Sequence, residues 1–200
     1  MSQHYTKMWQ DLGLDLEKHD NLLKVLSDFY QQIYLTQHDR PEGMKYFDFV
    51  ISEAHGLRIK ELLDAKNDGK KVVGTFCVYV PEEMILATNG ICVGLCAGAQ
   101  IGFNEAEKVL PKTTCDLIKA FMGFKLTQVC PYIESCDLLV GETTCDGKKK
   151  AYEILDNLTR KVYVIEVPHR KTEAGKELFL KELFNFKEKL EEISGQKMSL

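Results

Sequence analysis

Six of the seven cysteines in this chain lie between positions 92 and 145, and they offer the most chemistry in the sequence. Cys96 follows Gly94-Leu95, and Cys115 ends the run Leu110-Pro111-Lys112-Thr113-Thr114. Cys130 and Cys136 bracket Pro131-Tyr132-Ile133-Glu134-Ser135, and Cys145 sits in Gly141-Glu142-Thr143-Thr144-Cys145-Asp146-Gly147. Iron and sulfide prefer thiolate ligands, and cysteines spread over several loops can converge on one point only through the fold. The pattern therefore predicts an iron–sulfur cluster held by thiolates. Cys77 reads differently. It lies inside the apolar run Val72-Val73-Gly74-Thr75-Phe76-Cys77-Val78, where a cysteine acts as a small buried hydrophobe.

Other chemistries fit less well. Structural zinc is usually announced by short-spaced ligand pairs, and neither Cys-x-x-Cys nor His-x-x-x-His occurs. A ferredoxin-type cysteine run is also absent. Cys145, before a helix, has the placement of a single nucleophile, but that role would leave the other cysteines unexplained. Gly141 through Lys150 follows a strand and opens a helix, as a phosphate-binding loop does. It has five residues between its glycines where the phosphate loop has four, and Lys149 stands where a Ser or Thr would hold magnesium. A helix start with three lysines remains, suited to an anion or a negatively charged cluster. There is no Gly-x-Ser-x-Gly and no His-Glu-x-x-His. His19, His38 and His55 lack ligand-like neighbours in the sequence, and Phe121, Met122 and Phe124 read as core.

Composition narrows the setting. The chain has 200 residues, enough for one sizeable core, with 26 basic and 30 acidic side chains and a net charge of −4. A pI near 5.8 argues against a nucleic-acid partner. No apolar run approaches the roughly 20 residues that cross a bilayer, and the first residues lack a signal-peptide layout. These features predict a cytoplasmic protein. A reducing cytosol disfavours disulfides, and an odd cysteine count would leave one thiol over in any case.

The elements that must position the cysteines follow from periodicity. Residues 1–67 read as an N-terminal helical segment, a layer or dimer contact. Leu22, Leu23, Val25, Leu26, Phe29, Ile33 and Tyr34 recur at helical spacing there, and a second run goes from Pro41 to Asp68-Gly69. Residues 68–200 read as an α/β lobe. Strands are expected at 72–78, 91–95, 137–140 and 161–165, with helices opening at Pro81, spanning about 145–157, and spanning about 172–193. Strands alternating with helices predict a parallel sheet, whose ligand crevice lies at the carboxyl ends of the strands. A four-stranded sheet is thin for a doubly wound domain, so a second lobe is expected elsewhere.

Val80-Pro81-Glu82-Glu83, Gly94-Leu95-Cys96, Leu110-Pro111 to Cys115, Cys130-Pro131-Tyr132 and Val140 through Lys150 together resemble the D-component family of 2-hydroxyacyl-CoA dehydratases. That family includes the benzoyl-CoA reductase subunits and, closest in the Gly141–Lys150 motif, the double-cubane cluster proteins. The resemblance covers about residues 70–195. It implies a flavodoxin-like parallel sheet with flanking helices as the first lobe of a two-lobed protein, with an iron–sulfur cofactor between lobes. The cofactor would be a 4Fe–4S or a double-cubane 8Fe–9S cluster. Carried over by position, Cys115 and Cys145 match ligands shared by the family. Cys96 and Cys130 match the additional double-cubane positions, and Cys92 and Cys136 have no counterpart. Implied partners are an ATP-hydrolysing activator protein and a second copy or related subunit, giving a homodimer or heterodimer.

The function this predicts is an anaerobic, ATP-coupled reductase or 2-hydroxyacyl-CoA dehydratase component that delivers low-potential electrons to substrate. The alternative is a non-catalytic electron relay or cluster carrier.

Overall fold

The computed structural model describes residues 4–95 and 97–198. The N-terminal segment is helical, as its periodicity predicts. It comprises α1 (Thr6–Asp11), α2 (Leu16–Tyr30), a π-helical turn over Gln31–Leu35, α3 (Met44–Ser52) and α4 (Leu57–Asn67). The Asp15 carboxylate caps α2 by accepting from the Lys18 N–H at 3.1 Å. The apolar run expected from Pro41 to Asp68 is broken in the middle. Glu53 turns back to accept from the Leu57 N–H and the Tyr5 hydroxyl, each at 3.0 Å, which starts α4 afresh.

The α/β part follows as β1 (Val72–Thr75), α5 (Glu82–Ala87), β2 (Ile91–Gly94), α6 (Phe103–Ala106), α7 (Asp116–Leu126), α8 (Pro131–Ser135), β3 (Leu138–Glu142), α9 (Asp146–Thr159), β4 (Val162–Ile165) and α10 (Glu173–Ser194). The strands form one all-parallel sheet in the order β2-β1-β3-β4. Helices cover both faces, as parallel strands require. Alternation along the strands sorts the core into two layers. Val72 and Leu139 pack with Ile118, Phe121, Met122, Tyr152 and Leu155 beneath α7 and α9. Val73, Leu138 and Val140 face Ile85, Phe186 and Leu190 of α5 and α10. The result is consistent with a flavodoxin-like fold. Among the described residues, no helix is long and apolar enough to cross a membrane.

Two of the boundaries that differ from the sequence reading bear on the site. The first strand ends at Thr75 rather than 78. The Phe76 N–H still reaches the Val140 carbonyl at 3.2 Å, but the chain then turns, with the Val80 N–H on the Cys77 carbonyl at 3.2 Å. Val78 is 96% exposed, so the apolar run overshoots the strand. The third strand extends through Gly141 and Glu142, because these residues still pair with Val164 and Ile165 of β4. The first two residues of the predicted loop motif are therefore strand.

Candidate metal centre

The strand order reverses between β1 and β3, so the crevice at their carboxyl ends is the topological switch point where such sheets bind ligands. Cys77 lies just past β1 and Cys145 just past β3. Cys115 is the N-cap of α7 and Cys145 the N-cap of α9, and both are exposed. The two helices start side by side. A Cβ added to Gly147 in the first turn of α9 would meet Ile118 Cδ1 of α7 at 2.8 Å. Lys119 fixes the loop that leads to Cys115. Its ammonium, almost fully buried, donates to the Lys112 carbonyl at 3.3 Å and pairs with Glu107 and Asp116 at 3.2 Å each.

The centre of the crevice is a buried ion pair. The Glu142 carboxylate is 0% exposed. It accepts from the Lys148 ammonium, from Thr144 Oγ1 at 2.7 Å and from the Tyr152 hydroxyl at 2.9 Å. Burial alone would raise the Glu142 pKa, but the bonds from Lys148, Thr144 and Tyr152 outweigh it and hold the carboxyl below its ordinary value. Burial pushes the Lys148 ammonium down, and Glu142 with the nearby Cys77 and Cys145 thiols more than restores it, so it stays charged. Burial and Glu142 push the Tyr152 hydroxyl far up. Beneath the pair, Phe76, Phe121 and Tyr152 form an aromatic floor with centroids 4.6 to 6.0 Å apart. Gly141 leaves room for it, since a Cβ there would lie 2.4 Å from the Tyr152 ring. The Lys148 backbone N–H donates to Cys145 Sγ at 3.4 Å. The lysine that resembles a phosphate-loop residue is thus turned inward onto Glu142.

The sequence-predicted ligands divide. Cys115 and Cys145 come to the same end of the sheet. Cys96 lies outside the described residues. Cys130 does not join them. It precedes α8 at the amino end of β3, and α7 (11 residues, about 16 Å at 1.5 Å each) runs between Cys115 and that end. Burial pushes the Cys130 thiol up to about 11. Cys136 is fully buried there, donating to the Tyr132 carbonyl at 3.1 Å, and burial raises its pKa far above the ordinary thiol range. Cys92, in β2, packs in the second core layer with Sγ 3.7 Å from Thr75 Oγ1, and burial raises its pKa. Cys136 is thus a small buried hydrophobe, and Cys92 a partly buried one.

Cys77, read from the sequence as a buried core residue, is placed differently by the structure. It is half-buried, outside both core layers, and faces Lys148 at the switch point. The available signal was Pro81 three residues beyond Val78, which requires the chain to have left the strand by then.

Among the described residues, no three His, Cys, Asp or Glu side chains come close enough to hold a single ion. A cluster asks for a different arrangement, because each iron takes its own cysteine and the sulfurs stand farther apart. Three thiols around one end of a sheet, two of them at helix N-termini, fit that donor set.

Residues 77–200 match the family model of the 2-hydroxyglutaryl-CoA dehydratase D-component, and the chain belongs to that family. It is 39% identical over 150 residues, 74% of this chain, to the Escherichia coli K12 protein YjiM, whose name places it among dehydratase subunits. It is 30% identical over 138 residues, 66% of this chain, to the (R)-phenyllactyl-CoA dehydratase beta subunit of Clostridium sporogenes. The matched segments cover 39% and 35% of those proteins, so the chain spans less than half the length of these curated relatives.

Proposed function

We propose that this chain is the cluster-holding part of an ATP-coupled 2-hydroxyacyl-CoA dehydratase component. In this reading it works with a companion subunit and with a separate ATP-hydrolysing activator. The observation that supports the reading is that Cys77 and Cys145 both lie by the buried Glu142–Lys148 pair at the switch point, with Cys115 capping the neighbouring helix start. Membership of a dehydratase family, and relatives named as dehydratase subunits, support it.

Cys77, Cys115 and Cys145 would hold a 4Fe–4S cluster, with Cys96, outside the described residues, as the further ligand that the resemblance implies. Bound there, the cluster would supply single low-potential electrons to an acyl-CoA substrate. The chain's own residues would do the rest. The N–H groups at the starts of α7 and α9 and the Lys148 ammonium would offset the negative charge of a bound cluster, and the aromatic floor would exclude water. ATP belongs to the activator in this reading, since Lys148 is committed to Glu142 and no serine or threonine follows it.

Anaerobic reconstitution with iron and sulfide tests the assignment. The expected result is a broad absorption band at roughly 400 nm that is lost in Cys145→Ser. A chain that takes up no iron, or takes it up equally without Cys145, overturns it.

A further inference from the structure

Away from the cysteines, the carboxyl end of β4 opens onto a cavity of about 430 Å³. Its polar lining is Thr143 just past β3, Lys149 of α9, and Glu166, His169, Arg170 and Thr172 from the loop that joins β4 to α10. No cysteine lines it. The chain as a whole is acidic, yet Lys149, His169 and Arg170 gather here against one acid, Glu166. The adjacent lysines of the Gly141–Lys150 motif divide. Lys148 turns inward onto Glu142, and Lys149 lines this cavity.

The donors around this cavity are held in place and free. Thr143 is 8% exposed, and its Oγ1 accepts from the Val167 N–H at 2.9 Å. That bond uses a lone pair of the oxygen, so the hydroxyl proton meets no acceptor among the described residues. A buried donor without a partner costs free energy, which a bound acceptor would recover. The His169 and Arg170 side chains also have no ion pair or hydrogen bond among the described residues. Lys149 has only a surface pair with Asp146 at 3.3 Å, of a kind that contributes little. Gly175 fixes the loop. A Cβ there would lie 2.3 Å from the Arg170 carbonyl, so the loop sits directly against the first turn of α10. The Glu173 and Ala174 N–H groups at that helix start have no backbone acceptor among the described residues.

We propose that this cavity binds the phosphate group of a small phosphorylated metabolite. The number and kind of donors select that chemistry. A buried hydroxyl, an ammonium and a guanidinium fork outnumber the two oxygens of a carboxylate, whereas a phosphomonoester offers three acceptor oxygens. Its charge of about −1.5 to −2 near neutral pH matches Lys149 together with Arg170. The volume lies at the low end for small-molecule sites, so the rest of the ligand is small. The cavity shares no residue with the cysteine site, so the proposal stands apart from the cluster reading.

Isothermal titration calorimetry on the full 200-residue chain tests this in phosphate-free buffer at constant ionic strength. Glycerol 3-phosphate is the main probe, with inorganic phosphate and sulfate beside it. The expected result is saturable one-to-one binding of glycerol 3-phosphate with a Kd below roughly 1 mM, several-fold tighter than sulfate. Arg170→Ala, on an exposed loop, should weaken it on the order of 10-fold, the loss of one charge-assisted contact. Thr143→Val should weaken it several-fold, and Thr143→Ser should restore it, because serine keeps the hydroxyl. Far-UV circular dichroism checks that each variant is folded. No saturable binding up to about 20 mM probe overturns the proposal. So does an unchanged affinity in Arg170→Ala. Sulfate binding as tightly as glycerol 3-phosphate would mean an adventitious ion only, and overturns it as well. Coenzyme A binding far more tightly than glycerol 3-phosphate, and through Arg170, would give the cavity to the acyl-CoA substrate and overturn a separate site.

Discussion

The Lys148 ammonium is buried on the Glu142 carboxylate, while the backbone N–H of the same lysine donates to Cys145 Sγ at 3.4 Å. The end of β3 and the first turn of α9 are thereby one electrostatic unit, with a cysteine on its solvent side. Replacing Lys148 by Met leaves a buried carboxylate without its cation, and breaking such a pair costs about 3 kcal/mol. Urea unfolding at neutral pH should read that loss. Adding Glu142→Gln to the same chain should restore most of it, because the amide still accepts from Tyr152 and carries no charge. Since the folded carboxyl titrates below its ordinary 4.5, its contribution is present above that pH and is lost as the pH falls through the lowered folded value.

The cysteines should separate into two groups by iron content. Cys77→Ser, Cys115→Ser and Cys145→Ser should each lower the iron bound after anaerobic reconstitution several-fold. Cys92→Ala and Cys136→Ala should leave it near the unsubstituted level, with Cys136→Ala costing roughly 1–2 kcal/mol of stability for its buried sulfur. Iron analysis with denaturant unfolding of the same samples reads both. An unchanged iron content in Cys77→Ser would return Cys77 to the core role that its apolar surroundings indicate.

Much of the α/β body was legible in the residues. Val72-Val73, Leu138-Leu139-Val140 and Val162 to Ile165 are short β-branched or leucine runs bounded by helix patterns, and each became a strand of the sheet. Thr172 before the long amphipathic helix is the N-cap of α10. The site was only half legible. Cys115 and Cys145 stand at helix starts that capping and periodicity mark. The separation of Cys130 from them depends on the direction in which α7 runs, and no local pattern encodes that. Cys77 was hidden by its apolar neighbours, one of which, Val78, points to solvent. The histidine contact in the N-terminal segment was equally hidden. His19 and His55 are 36 residues apart, and only the packing of α2 against the turn before α4 makes them neighbours.

That contact predicts acid sensitivity. His19 Nε2 lies 2.9 Å from His55 Nδ1, and the rings stack with centroids 5.1 Å apart. The Trp9 indole donates to the His55 carbonyl at 2.6 Å, and Tyr132 of α8 meets the His55 ring edge-on. Burial, then the neighbouring His19, lowers the His55 pKa from 6.5 to about 4, and burial lowers His19 despite the charge of Asp20. The folded state resists protonation, so the unfolded state binds more protons between these values. Stability is full above about pH 6.5 and declines as the pH falls toward about 4. The unfolding free energy should drop by roughly 2 kcal/mol between about pH 7.5 and pH 5, and His55→Gln should flatten that slope. An equal slope in both proteins would place the sensitivity elsewhere.

Gly147 offers a test of spacing rather than of ligand identity. It stands in the first turn of α9, where alanine would raise helix propensity by up to about 1 kcal/mol. The added Cβ, however, would lie 2.8 Å from Ile118 Cδ1, and Ile118 is in the first turn of α7. The isoleucine tip must give way, and it lies between the helix starts that carry Cys115 and Cys145. Gly147→Ala should therefore hold its stability within about 1 kcal/mol, because the propensity gain offsets the crowding. Its reconstituted iron should nonetheless fall. Ile118→Val removes the crowded methyl, so the pair Gly147→Ala and Ile118→Val should recover iron binding. Thermal unfolding and iron content, measured on the single and double variants, separate the two effects. Full iron in Gly147→Ala would mean that the close approach of α7 and α9 does not set the distance between the two thiols.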